Sequence, residues 1–251
     1  MQGAAWLSSA RVVNQSRPAG AIRQKKPTHN GEVLSRRIIP WEVAGSHNMN
    51  LPPETQSVIV GSLLGDAYLY QNGTLQIEHC LDHADYTFWK YEKLKSIVGK
   101  QPTIIERYDL RTKKTYRSMR FYTKAVLKDF RIAFYRDRRK IIPKELGKML
   151  DPLAVAVWFM DDGGRGARTP KGLVFNTSCF LAEEQIALQS LFAEKFGVRA
   201  SIHKVGKGFQ LYIKAESFER FAELISPYLV AQMRYKLPVD PVTTSLQTEA
   251  G

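Results

Sequence analysis

Three aspartates stand where an apolar helix has no structural use for them. The segment Ile59-Val60-Gly61-Ser62-Leu63-Leu64-Gly65 runs uncharged into Asp66, and Val155-Ala156-Val157-Trp158-Phe159-Met160 runs likewise into Asp161 and Asp162. The helix macrodipole disfavours a carboxylate at a C-terminus, so an Asp that merely stops its helix leaves two such placements unexplained. Two converging carboxylates suit a hard cation such as Mg²⁺, which keeps waters and a substrate phosphate among its ligands. Paired ions there can activate a water and stabilise the leaving oxygen of a phosphodiester displacement. Asp66 and Asp162 are expected to serve that chemistry.

The elements around them follow from patterning. A helix apolar on nearly every face must be buried, and the natural partner of each such helix is the other. Gly61, Gly65, Ala154 and Ala156 are small enough for close backbone approach. Asn50-Leu51-Pro52-Pro53 and Asp151-Pro152 read as caps with first-turn prolines, opening helices over 54–66 and 153–162. Strands are expected at 68–71, 74–80, 103–108 and 116–122, with helices at 86–98 and 124–135. The second half repeats the order: strands at 173–178, 200–204 and 209–214, helices at 183–196 and 218–229. Gly163-Gly164 is expected to end the second apolar helix, and Gly206-Lys207-Gly208 reads as a hairpin turn. Leu75–Gly99 and Leu173–Gly197 are strand-plus-helix units of equal length. The fold class expected is α+β: two αββαββα halves, 50–148 and 149–238, related by a pseudo-two-fold axis.

Composition bounds the partners. The 251 residues hold 37 Lys+Arg against 24 Asp+Glu, a net charge of +13. Residues 100–148 alone hold 16 basic and 5 acidic side chains, whereas 151–251 hold 11 of each. A field concentrated in that way attracts a polyanion, either nucleic acid or an acidic membrane surface. No run approaches the roughly 18 apolar residues of a spanning helix, and two cysteines exclude a disulfide scaffold. Cys80 and Cys179 are expected as small buried residues. The segment 1–49 is basic and short of apolar periodicity, either a transit-like peptide or an unstructured extension upstream of Met49. Residues 239–251 read as a flexible tail. His79-Cys80-Leu81-Asp82-His83 has metal-ligand residue types, but without a second ligand cluster it is not read as a zinc site. By its place after a strand, His83 could order a water near the acids.

Four segments in order resemble the LAGLIDADG homing endonucleases in their single-chain, two-motif form. Gly61-Ser62-Leu63-Leu64-Gly65-Asp66-Ala67-Tyr68 and Trp158-Phe159-Met160-Asp161-Asp162-Gly163-Gly164 resemble the paired motifs. Phe175-Asn176-Thr177-Ser178-Cys179-Phe180 and Gln232-Met233-Arg234-Tyr235-Lys236-Leu237-Pro238 resemble further family segments. The resemblance, over 51–238, implies that Asp66 and Asp162 are the metal-binding catalytic acids of a Mg²⁺- or Mn²⁺-dependent site with two or three ions. Alignment on the following glycine selects Asp162 over Asp161. Gly65 and Asp161 then join the metal centre, Asp161 through its backbone carbonyl. The family also places a lysine beside each centre, and Lys140 and Lys236 match those positions.

It further implies a monomer whose two sheets form a saddle over a long, specific duplex target. In the first half Arg107, Arg111, Arg117 and Arg120 are candidates to read guanines, and Lys113 and Lys114 to touch phosphate. Their counterparts would be Asn176, Ser178, His203, Lys204, Lys207 and Gln210. The activity implied is site-specific double-strand cleavage promoting mobility of an intron in an organelle, or in a bacterium. The alternatives are a maturase that assists splicing of intron RNA, and an inert DNA-binding regulator. Keeping both Asp66 and Asp162 favours the nuclease, since neither alternative needs them.

Overall fold

The computed structural model describes residues 51–166 and 172–238. The basic extension, the Asn50 cap and the tail lie outside the described residues. The chain order is α1 (Pro53–Leu64), β1 (Tyr68–Leu69), β2 (Leu75–Cys80), α2 (Ala84–Lys93), β3 (Thr103–Asp109), β4 (Lys114–Tyr122) and α3 (Lys128–Phe134). A hairpin of β5 (Tyr135–Arg136) and β6 (Arg139–Lys140) and the short α4 (Leu146–Met149) lead into the second half. There α5 (Pro152–Asp162), β7 (Gly163–Arg165), β8 (Leu173–Asn176), α6 (Ala182–Phe196), β9 (Ala200–Val205), β10 (Gly208–Ile213) and α7 (Phe218–Ile225) follow.

Both halves build the same antiparallel sheet, ordered β1-β2-β4-β3 in one and β7-β8-β10-β9 in the other. The two αββαββα patterns of the sequence are thus the architecture of an α+β fold. Period-two alternation turns Ile77 and Phe121, or Phe175 and Leu211, onto the buried helices, and leaves the other face of each sheet open.

Helices α1 and α5 lie between the sheets and pack on each other. Val58, Ile59, Leu63, Val155, Ala156 and Phe159 are all fully buried. Each of the Val, Ile, Leu and Phe side chains contributes about 1.5–3 kcal/mol by leaving water, and Ala156 less. The contact is close enough that a methyl at Gly61 would strike Ala154 O and the Val157 side chain. Asp151 joins the halves at the far end of the pair. Its Oδ1 accepts from the Ala154 N–H at 2.7 Å and caps α5, while Oδ2 accepts from the Ser57 hydroxyl at 2.5 Å.

Several expectations need correction. The second apolar helix does end as expected, with Gly163 as its C-cap, and both glycines then continue as β7, opposite Phe175 and Val174. Helix α3 starts four residues later than expected, because the Lys124 and Leu127 N–H groups are held by Ile97 O and Gly73 O. The last helix stops at Ile225, and Ser226–Tyr228 tightens into a 3₁₀ turn containing Pro227. Cys80 and Cys179 are free thiols and exposed rather than buried. The expected hairpin turn at Gly206 does form, and Gly73, Gly197 and Gly206 all stand at positive φ.

Candidate metal centre and nucleic-acid face

Helices α1 and α5 bring their C-terminal ends together. Gly65 makes this possible, since a Cβ there would lie 2.5 Å from Asp161 Cβ and 2.7 Å from its Oδ2. Asp66 is exposed and Asp162 half-buried. Although Asp66 keeps contact with solvent, desolvation by the surrounding protein and then the charge of Asp161 raise its pKa, while burial and then Asp66 push Asp162 well above the usual carboxylate range. Lys140 and Lys236 act against both shifts. Carboxylates that destabilise each other's ionised form are a donor set that a divalent cation relieves, so these residues fit such an ion.

Each lysine serves the helix of its own half. Lys140 Nζ, on β6, donates to Gly65 O at 2.6 Å and Ala67 O at 3.2 Å. Lys236 Nζ, at the end of the 3₁₀ segment Ala231–Lys236, donates to Met160 O and, at 3.1 Å, to Asp161 O. The carbonyls left free at the helix ends are thus met by cations, where the dipole favours positive charge. Burial lowers both lysine pKa values despite the nearby acids. Sequence patterning gave no sign of the β5–β6 hairpin that carries Lys140.

The Asp161 side chain has an environment of its own. Its carboxylate takes both bonds of Lys90 Nζ, at 2.7 and 2.8 Å, and the Tyr86 hydroxyl at 2.8 Å. Its Oδ2 also lies 3.4 Å from the Asp66 N–H, a long contact. The side chains of Lys90 and Asp161 are 0% exposed. Burial works to raise the Asp161 pKa, but the Lys90 ammonium, His79 and the two donated bonds together hold it below the usual value. His79 Nε2 sits 3.8 Å from Asp161 Oδ1. Burial, and then the Lys90 charge, depress His79 to about 3. One ligand atom each from Asp66, His79 and Asp161 lies within 4.8 Å of the others, although Lys90 already supplies a cation to Asp161. Lys90, Tyr86 and His79 escaped sequence reasoning as members of this cluster. His83 Nδ1 lies 3.4 Å from Cys80 Sγ, and its ring stacks on Tyr235.

The open sheet faces sort the remaining candidates. Arg107, Lys114 and Arg120 share a face with Glu78 and Ser118, away from the core residues Met119 and Phe121. Arg111 and Lys113 occupy the β3–β4 turn, where Asp109 Oδ1 accepts from the Arg111 N–H at 2.8 Å. Arg117 corrects the expectation: by strand alternation it lies on the Met119 side and pairs with Glu106 at 2.9 Å. In the second sheet Asn176, Gln210 and His203 stand in one cross-strand row, and Ser178 Oγ bonds Asn176 Oδ1 at 2.7 Å. Lys207 lies in the hairpin turn. Lys204 alternates onto the opposite face from His203.

The chain matches the model of the LAGLIDADG DNA endonuclease family over residues 56–221. It is 31% identical over 215 residues to the cytochrome b mRNA maturase bI2 of Saccharomyces cerevisiae, covering 77% of this chain and 48% of that protein. The chain therefore spans about half the length of that relative. It is 30% identical over 211 residues to the DNA endonuclease I-ChuI of Chlamydomonas applanata, covering 75% of this chain and 96% of that one. The solved structure of the homing endonuclease I-WcaI bound to its DNA recognition sequence superposes with a TM-score of 0.70 at 26% identity, over 76% of this chain and 88% of that one. With two terminal aspartates on paired central helices and two sheets of one topology, the chain belongs to the LAGLIDADG DNA endonuclease family, in its single-chain, two-motif form.

Proposed function

We propose that the chain is a site-specific DNA endonuclease that cleaves both strands of a long duplex target with divalent metal, Mg²⁺ or Mn²⁺, at Asp66 and Asp162. One observation carries this reading. Each helix end presents an acid together with a lysine from its own half, so the centre is duplicated as two strands of opposite polarity require. A divalent ion bound there would supply a Lewis acid that lowers the pKa of a water and takes up charge on the leaving oxygen. Asp66 and Asp162 would hold it through their carboxylates, with the Gly65 and Asp161 carbonyls beside them. Each ammonium has three N–H groups and spends two on carbonyls, so one remains to meet a phosphate oxygen whose charge grows in the transition state. The basic surplus of 100–148 would supply phosphate contacts, and the open sheet faces the base contacts.

Relatives named as endonucleases support this reading, and so does a structural neighbour solved with its DNA recognition sequence. We also propose intron mobility in an organelle as its setting, and action as a monomer, since one chain carries both halves. The relative named as a cytochrome b mRNA maturase favours a second reading, assistance of RNA splicing on the same fold. The test is incubation of the purified chain with a library of duplexes spanning candidate intron insertion sites, with Mg²⁺ or with EDTA. Metal-dependent double-strand breaks at one site support the nuclease. Intact duplexes alongside stimulated splicing of the intron RNA favour the maturase.

A further inference from the structure

The open face of the first sheet has a carboxylate at its middle. Glu78 Oε1 accepts from Arg107 Nη1 at 2.5 Å and from the Ser118 hydroxyl at 2.6 Å, and Oε2 from Arg120 Nε at 2.6 Å and Gln76 Nε2 at 3.2 Å. Glu78 and Arg120 are directly opposed across β2 and β4, and Arg107 reaches in from β3. The carboxylate is 18% exposed, Arg120 19% and Arg107 50%. Arg120 Nη1 also donates to the Tyr122 hydroxyl at 2.9 Å. The corresponding place in the second sheet, opposite Gln210, is the neutral Asn176.

A negative charge on a face offered to a polyanion weakens non-specific attraction, which is electrostatic and follows the cations presented to phosphate. The same charge does something useful to its neighbours. An unpaired arginine samples many rotamers and finds any phosphate, whereas one pinned by a carboxylate has lost that entropy before DNA arrives. The contacts engage Arg107 through Nη1 and Arg120 through Nε and Nη1. Each guanidinium therefore keeps its Nη2 amino group, and fixed donors of this kind suit the O6 and N7 acceptors of guanine.

We propose that Glu78 is a specificity-determining positioning residue: it fixes the Arg107 and Arg120 guanidiniums for base readout and halves their combined charge toward phosphate. This rests on the reading that the open sheet faces bind duplex DNA. The test is E78Q, which keeps the side-chain shape and an accepting oxygen, read by fluorescence anisotropy in EDTA. The probes are a duplex selected by the wild-type chain and a scrambled duplex of equal length. E78Q should bind the scrambled duplex several-fold more tightly, steepen its log-log salt slope by about one unit, and lower the selected-to-scrambled affinity ratio. The double variant E78Q/R120A should lose most of the gain. Unchanged ratio and slope, with the melting temperature lowered or not, would overturn the proposal. So would weakened binding to the selected duplex alone, which would make Glu78 itself a base reader, accepting from a cytosine amino group. A wild-type chain that prefers no duplex over its scramble would bring down the nuclease reading and this proposal with it. Discrimination by the wild type matched by E78Q would overturn the proposal alone.

Discussion

Lys90 of the first half and Asp161 of the second form an ion pair across the pseudo-two-fold axis, with both side chains fully enclosed. Equivalent positions in the two strand-plus-helix units are 98 residues apart, which sets Lys90 against Leu188, as Asp161 stands against Gly65. The pair therefore has no counterpart on the other side. It makes Asp161 neutral in effect, and leaves Asp66 and Asp162 as the acids facing outward.

Removing one member should be costly. Lys90→Met leaves the Asp161 carboxylate buried without its cation, and breaking a buried pair in this way typically costs about 3–5 kcal/mol. Lys90→Met/Asp161→Asn should recover much of that loss. Urea denaturation of the wild type, both single variants and the double variant checks this, and additive losses would contradict it.

Asp66→Asn and Asp162→Asn should each abolish cleavage of both strands while leaving most DNA affinity intact. The carboxylates serve the metal centre, whereas affinity comes from phosphates and bases. Plasmid linearisation and anisotropy, run on the same preparations, measure the two separately. Full linearisation by either variant would remove that Asp from the metal centre.

Lys140→Ala and Lys236→Ala should slow single-turnover cleavage at saturating enzyme by about 10²–10³, as loss of an electrostatic stabiliser does. Lys113→Ala and Lys114→Ala should instead weaken binding modestly and leave the saturated rate unchanged. A Lys236→Ala enzyme that cuts at the wild-type rate would make Lys236 a phosphate anchor.

His79 ties stability to acid. Its folded-state pKa is depressed from 6.5 to about 3, so between those values the unfolded chain binds a proton that the folded chain does not. Stability is then fully present above about pH 6.5 and lost as pH falls toward 3, with a slope from this group of at most about 1.4 kcal/mol per pH unit. The difference between the wild type and His79→Gln in denaturation midpoints from pH 7 to pH 4 isolates that contribution. Parallel curves would refute it.

The central helices were legible because apolarity on all faces leaves little choice of environment, and the aspartates because they interrupt it. Gly61 and Gly65 announced a close approach for the same reason. Lys90 was hidden because a lysine in the helical pattern of 84–93 looks like a solvated position, and its partner is 71 residues away. Arg117 was misplaced because reading a basic ribbon as one surface ignores the two-residue alternation that turns it toward Glu106. Gly163 and Gly164 were legible as the end of a helix, but their pairing with β8 depends on a contact made only in the folded chain.

The unlike charge of the two sheet faces has a bearing on symmetry. One face groups Arg107, Arg120 and Glu78, and the other groups Asn176, Gln210 and His203. A palindromic duplex laid across both would offer each face the same half-site, and one of the two would be a poor match. Replacing either half-site with a copy of the other should therefore weaken binding, and the molecule has a preferred direction along the helix axis of whatever duplex it holds.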